Sequence, residues 1–136
     1  MKILSIILLV FLMLSATQVE CRSEEAKAYK ARITYYTRDS KWGNKVACQT
    51  SKTATEGITI AAHPDFKFGT KIFIPSLKDK IGNGEFIVQD RGTAVTKKKA
   101  SNGSAYVFDV YVNNTKKLSK FAHGEAEYMK IYVVKP

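Results

Sequence analysis

Apolar residues along this chain occur in short runs, separated by segments rich in Gly, Pro, Asn and charged residues. These runs contain many β-branched and aromatic side chains, and several alternate apolar with polar positions, as half-buried strands do. The pattern predicts six strands, or seven if a short strand also forms near Val46. The six are predicted at residues 33–36, 58–62, 70–74, 85–90, 106–112 and 130–134.

One segment predicts a helix instead of a strand. Asn114 can cap its N-terminus and Gly124 can end it. The apolar stripe between these two residues consists of Leu118, Phe121 and Ala122. Six or seven short strands with one small helix favour a closed all-β barrel over a sheet of βαβ units.

Polar segments connect these elements. Residues 38–56 form a predicted long loop, and loops of that length in a compact domain are usually functional. Trp42 in this loop can either stack on a sugar ring or cover the core. Residues 79–84 are a predicted turn, and residues 93–104 are a second predicted loop, which carries the run Lys97–Lys99.

The N-terminus has the pattern of an export signal. Lys2 precedes an apolar run at residues 3–14, and about a dozen residues is the length of a signal-peptide core. A membrane-spanning helix needs about twenty. Cleavage fits after Ala16 or after Cys21, and we prefer the second. Lipidation of Cys21 is an alternative, which the preceding Glu20 disfavours because lipidation signals have a small residue there.

These boundaries predict a signal peptide at residues 1–21, a short flexible lead-in at 22–30 and one compact domain at 31–136. We therefore expect an exported protein of the periplasm, cell envelope or extracellular space, with no membrane span, and a monomer. After cleavage behind Cys21 only Cys48 remains, so no internal disulfide can form. We interpret Cys48 as a small half-buried residue. A nucleophilic role would need a nearby His, which the sequence does not place.

The formal net charge of +10 predicts attraction to polyanions. No nucleic-acid-binding motif is present, so we expect no nucleic acid partner. The export signal points instead to envelope polymers with carboxylate or phosphate groups. A basic surface that only keeps the protein soluble is the alternative.

Two aspartates lie within or at the end of predicted apolar strands. Asp109 shares one strand face with Val107 and Tyr111, so desolvation should raise its pKa and let it act as a general acid. Asp90 ends a strand beside Arg91, which would favour its ionised form. One protonated and one ionised carboxyl group suit the cleavage of a glycosidic bond. In the alternative interpretation, Asp90 caps a turn and Asp109 pairs with a lysine.

Other chemistry has less support in the sequence. His63 is more often a structural residue than a catalyst in such a position, and Thr34 and Tyr36 can offer hydroxyl groups to a sugar. The histidines show no metal-ligand spacing, so we expect no metal. There is no phosphate-binding glycine loop and no serine nucleophile motif, and we expect no cofactor.

Four segments in this order resemble the three-aspartate domain, the catalytic domain of membrane-bound lytic transglycosylase A and related bacterial wall-remodelling proteins. Some also resemble rare lipoprotein A, in a superfamily shared with barwin and expansins. The likeness spans roughly residues 33–134. The segments are Thr59-Ile-Ala-Ala-His-Pro64, Phe68-Gly-Thr-Lys-Ile-Phe-Ile-Pro75, Val88-Gln-Asp-Arg-Gly-Thr-Ala-Val95 and Phe108-Asp-Val-Tyr111.

This resemblance implies a six-stranded double-psi β-barrel and cleavage of the β-1,4 bond between N-acetylmuramic acid and N-acetylglucosamine in peptidoglycan. Asp109 matches the acid/base and Asp90 the supporting aspartate, while His63 replaces the third aspartate, as in rare lipoprotein A. A non-catalytic, expansin-like wall-binding module is the alternative. The implied substrate-binding residues are His63, Thr34, Tyr36, Gly69, Thr70, Arg91 and Gly92.

Overall fold

The computed structural model of the chain describes residues 25–37, 53–122 and 127–134. Several sequence predictions therefore lie outside the described residues. They concern the signal peptide, Cys21, Trp42, the strand near Val46, Cys48 and Gly124.

The described residues form six strands, which confirms the prediction of an all-β chain. The strands close into a barrel in the order β1-β5-β2-β4-β3-β6. The pairs β1/β5 and β2/β4 are parallel, and the other four pairs are antiparallel. The bounds are β1 Ala26–Tyr36, β2 Thr59–Ala61, β3 Lys71–Phe73, β4 Glu85–Asp90, β5 Val107–Tyr111 and β6 Tyr128–Val134.

Strand β1 begins at Ala26, so residues 26–30 are strand and not the flexible lead-in that the sequence predicted. They are ordered by antiparallel pairing with β6, from Ala26 opposite Val134 to Arg32 opposite Tyr128. The side chains of this part of β1 are mostly exposed and show no apolar pattern that would predict a strand. The strand forms here because it pairs with β6, which is distant in sequence.

The barrel interior is filled by inward-facing side chains that alternate with outward-facing ones along each strand. The largest are fully buried, and burial of each such aliphatic or aromatic side chain contributes about 1.5–3 kcal/mol. They come from all six strands and include Ile33, Ile60, Ile72, Phe86, Phe108 and Ile131.

Residues 93–104 are not the plain loop that the sequence predicted. They contain a short helix, α1 (Thr93–Thr96), and a 3₁₀ turn (Lys99–Ser101). Helix α1 forms because Val95, which is 1% exposed, packs on the outside of the barrel. The described residues thus include a second short helix beside the predicted one.

The predicted helix, α2, spans Thr115–Ala122. Its cap is confirmed, because Oδ1 of Asn114 accepts a hydrogen bond from the backbone amide of Lys117 at 2.9 Å. Neither helix, nor any other within the described residues, is long and apolar enough to cross a membrane.

Candidate active site

The two aspartates singled out in the sequence lie on adjoining strands around one residue of β2. Ala61 is opposite Asp90 in β4 and opposite Asp109 in β5. The two aspartate Cα atoms are therefore separated by two strand spacings, or about 10 Å. A register shift between Ile60 and Ala61 brings Asp90, the last residue of β4, into this row.

Both aspartates line one cavity of about 400 Å³ on the outside of the barrel. The barrel contributes Tyr36, Ala61 and the two aspartates, and the segment that follows β4 forms the opposite wall. Val95 anchors this wall in a cluster of buried residues, which also includes Tyr36, Ala54, Ala61, Val107 and Tyr111. A cavity of this size accommodates a small ligand or part of a polymer.

Asp109 is half-buried at the cavity and accepts a hydrogen bond on Oδ1 from Thr34 Oγ1 at 3.0 Å. Burial raises the pKa of Asp109 to about 7; the Thr34 hydrogen bond lowers it and the charge of Asp90 raises it. The predicted direction of this shift, and burial as its cause, are confirmed. A carboxyl group that titrates near neutral pH can both donate and accept a proton.

Asp90 is 3% exposed and is held by hydrogen bonds on both of its oxygens. Tyr36 Oη donates to Oδ2 at 3.0 Å, and the backbone amide of Arg91 donates to Oδ1 at 2.8 Å. Burial and the charge of Asp90 raise the pKa of Tyr36, so its hydroxyl remains a donor. These two donors fix the orientation of the Asp90 carboxyl group.

Thr34 and Tyr36 were predicted as sugar-binding residues, and the structure gives their hydroxyl groups another task. Each holds one aspartate: Thr34 holds Asp109 and Tyr36 holds Asp90. The sequence contains a weak signal for this arrangement, since the two residues are two positions apart and so lie on the same face of β1. Their partners are more than fifty residues away in sequence, as the 54-residue separation of Tyr36 and Asp90 shows.

The interpretation in which Asp109 pairs with a lysine is wrong for the described residues. Between described residues, a lysine–carboxylate ion pair joins Lys117 with Glu56 and does not involve Asp109. The side-chain hydrogen bond of Asp109 comes from a neutral hydroxyl group, that of Thr34. Its charged form therefore lacks the compensation that a lysine would provide.

Arg91 contacts Asp90 through its backbone amide, while its guanidinium group points to the loop after β2. It donates to the carbonyl oxygens of Ala62 at 3.2 Å and Phe66 at 2.6 Å, and lies 4.0 Å from the ring centre of Phe68. Arg91 thereby fixes this loop against the rim of the cavity. Neighbouring Gly92 lies in the cavity wall.

Besides Thr34, three predicted site residues are not among those that line the cavity. His63 accepts a hydrogen bond on Nδ1 from the backbone amide of Asp65, and its ring centre lies 5.5 Å from that of Tyr106. Gly69 has a φ of 86°, which favours glycine, and its amide donates to Val88. Thr70 is 3% exposed and packed inside the fold.

The described residues contain no cluster of three or more His, Cys, Asp or Glu side chains that could hold a metal ion. Two basic residues, Arg91 and Lys99, line the cavity. Lys99 is the last residue of the run Lys97–Lys99 in the second predicted loop.

Comparison of the chain with protein-family models, with curated proteins and with solved structures gave no match. The resemblance to the three-aspartate domain therefore stays a prediction, and the site is interpreted from its own geometry.

Proposed function

We propose that this protein is an exported lytic transglycosylase that cleaves the β-1,4 bond between N-acetylmuramic acid and N-acetylglucosamine in peptidoglycan. The observation that carries this proposal is the pair of aspartates in one cavity, of which Asp109 has a pKa of about 7. A general acid for glycosidic cleavage needs such a raised pKa. The order of the matching sequence segments supports the choice of peptidoglycan as substrate.

In the proposed reaction, protonated Asp109 donates its proton to the glycosidic oxygen as the bond from that oxygen to C1 of the muramic sugar breaks. The Asp109 carboxylate then takes the proton of the 6-hydroxyl group of the same sugar. The 6-oxygen bonds to C1 and closes a 1,6-anhydro ring, while the other product carries a free 4-hydroxyl group. No water is consumed, and Asp109 ends the cycle protonated.

Asp90 has a supporting role in this proposal. Its carboxyl group is fixed by Tyr36 and by the amide of Arg91, so it needs no reorientation during the reaction. A negative charge held beside the reacting sugar stabilises the positive charge that develops at C1.

We also infer that the barrel is of the double-psi type and that residues 1–21 are a signal peptide. The parallel pairs β1/β5 and β2/β4, in a strand order that does not follow the sequence, support the first inference. The short apolar run behind Lys2 supports the second.

The proposed function is tested by incubating the mature protein with purified peptidoglycan and searching for 1,6-anhydromuropeptides by mass spectrometry. Loss of the acid/base should lower the rate by about 10²–10⁴-fold in Asp109→Asn. Asp79→Asn is the matched control, because Asp79 is exposed in the turn after the 3₁₀ segment Pro75–Leu77. No release by the wild type, or equal release by Asp109→Asn, would refute the proposal.

An expansin-like wall-binding module is the second candidate, and the net charge of +10 favours it. Such a module would bind purified walls without releasing products, and added salt would weaken the binding because it screens exposed charges. The product assay separates the two candidates, because a purely binding module releases no products. Asp109→Asn should leave the wall binding of such a module unchanged.

A further inference from the structure

The outward-facing side chains of β1 connect the cavity to a second surface. Ala31 and Ile33 are buried in the barrel, so Lys30, Arg32 and Thr34 face outward. Thr34 contacts Asp109 in the cavity, and Lys30 is exposed at the other end of this row. Four residues of strand span about 13 Å between them.

Strand β6 places tyrosines and a lysine beside this row. Lys30 lies opposite Lys130, Arg32 opposite Tyr128 and Ala28 opposite Tyr132. We call Lys30, Lys130, Tyr128 and Tyr132 the lysine–tyrosine strip. Tyr128 is 40% exposed, so its ring is accessible to a ligand.

Three residues of the strip, Lys30, Tyr128 and Lys130, line a shallow depression of about 390 Å³ together with Ala28 and Tyr29. The Nζ of Lys30 lies 5.8 Å from the ring centre of Tyr128, and that of Lys130 lies 5.3 Å from the ring centre of Tyr132. These contacts keep each ammonium group next to an aromatic ring. Small Ala28 leaves room on the floor of the depression.

The strip combines the two features that recognise an acidic carbohydrate. The apolar C–H face of a sugar packs on a tyrosine ring, and ammonium groups pair with carboxylates on the sugar or on an attached peptide. Arg32 adds a positive charge beside the strip. Its guanidinium group is held in place because Nη1 donates to the carbonyl oxygen of Ile33 at 2.6 Å.

We propose that the lysine–tyrosine strip binds the part of an anionic glycan strand that extends out of the cavity. The proposal rests on the function proposed above and deepens it, because it gives the cavity a preference for long strands. A polynucleotide fits less well, since its phosphates would meet the carboxyl groups of Asp90 and Asp109 at the cavity end of the row. A glycan presents an uncharged glycosidic bond there.

The test compares long and short substrates in the full mature protein. Lys30→Gln/Lys130→Gln and Tyr128→Ala should each lower kcat/KM on long peptidoglycan strands about 5–20-fold. They should leave kcat/KM unchanged on a short substrate of two linked disaccharide-peptides. This substrate is too short to occupy the cavity and the strip together. Lys78→Gln/Lys80→Gln is the control, because it removes the same charge from two exposed lysines at the start of the predicted turn.

Binding to purified walls, measured by co-sedimentation in the Asp109→Asn background, separates this proposal from the proposed function. If the protein with Asp109 intact releases no products but the strip variants lose wall binding, the proposed role of the strip is upheld and the enzymatic proposal fails. An equal loss of kcat/KM on long and short substrates, or no loss beyond that of the control, would overturn the proposed role of the strip. Loss of single-stranded DNA binding with unchanged wall binding would overturn the glycan as its occupant.

Discussion

At the scale of single residues, the burial of Asp109 affects both its proposed catalytic role and the stability of the protein. Its carboxyl group is half-buried and its hydrogen-bond partner is a neutral hydroxyl, so its charged form is poorly compensated. The same burial raises its pKa to about 7. Proton transfer at neutral pH and stability therefore depend on the same group.

Asp109→Asn should stabilise the protein at alkaline pH. An aspartate has a pKa of about 3.9 when unfolded, and that of Asp109 is about 7 in the folded protein. Because the native state binds more protons between these values, the free energy of unfolding falls as pH rises through this window. The variant should exceed the wild type by about 1–3 kcal/mol at pH 8, allowing for solvent in the cavity.

Urea unfolding at pH 4 and pH 8 measures this effect. The advantage of Asp109→Asn should vanish at pH 4, where the wild-type carboxyl group is protonated in the folded state. A variant that is less stable than the wild type at pH 8 would contradict the burial of an uncompensated carboxylate.

Thr34→Val should shift the pH dependence of the proposed activity. Because the Thr34 hydrogen bond lowers the pKa of Asp109, its removal raises that pKa. Activity that needs protonated Asp109 declines as pH rises through about 7. In the variant the decline should move upward by about one pH unit.

Rates of anhydromuropeptide release between pH 5 and 9 give this profile. Thr34→Ser keeps the hydroxyl group and should retain the wild-type midpoint. A midpoint that does not move in Thr34→Val would mean that Asp109 is not the group whose protonation limits the rate.

At the scale of elements, the segment after β4 acts as the wall of the cavity. Gly92, helix α1 and Lys99 line it, and Val95 packs against the outside of the barrel. Arg91 holds the loop after β2 on the other side. The cavity shape therefore depends on two connecting segments, each fixed by a few contacts.

Val95→Ala should loosen this wall. Removal of a buried branched side chain costs about 1–3 kcal/mol through lost burial and the space left behind. KM for peptidoglycan should rise while the pH midpoint stays unchanged, because the environments of Asp109 and Thr34 are retained. Val134→Ala, at a half-buried position in β6, is a control for stability alone.

At the scale of the whole molecule, the barrel is closed by pairing between its first and last described strands. Strand β6 pairs with β1 and with β3, so the last described strand completes the ring that the first one begins. A closed ring leaves no unpaired edge strand. The cavity lies on this ring, between strands that are far apart in sequence.

Truncation after residue 127 should therefore abolish folding. It removes Ile131 and Val133 from the core and exposes the edges of β1 and β3. Loss of a cooperative urea transition, followed by circular dichroism, is the expected result. A truncated chain that keeps a cooperative urea transition would contradict this expectation.

The sequence by itself determined the local features of this protein. Alternating apolar residues located the six strands, the Asn114 cap located α2, and the apolar neighbours of Asp109 predicted the direction of its pKa shift. Each of these depends on residues close together in the chain. Strand alternation, capping and burial of one strand face are local effects that composition and spacing reveal.

Only the tertiary structure decided which residues meet. It placed Asp90 and Asp109 on either side of Ala61 and paired the hydroxyl groups of Thr34 and Tyr36 with these carboxyl groups. It placed residues 93–95 and Lys99 in the cavity wall. It also extended β1 back to Ala26. These contacts depend on the register between strands, which is set by packing of the whole barrel and leaves no local pattern in the chain.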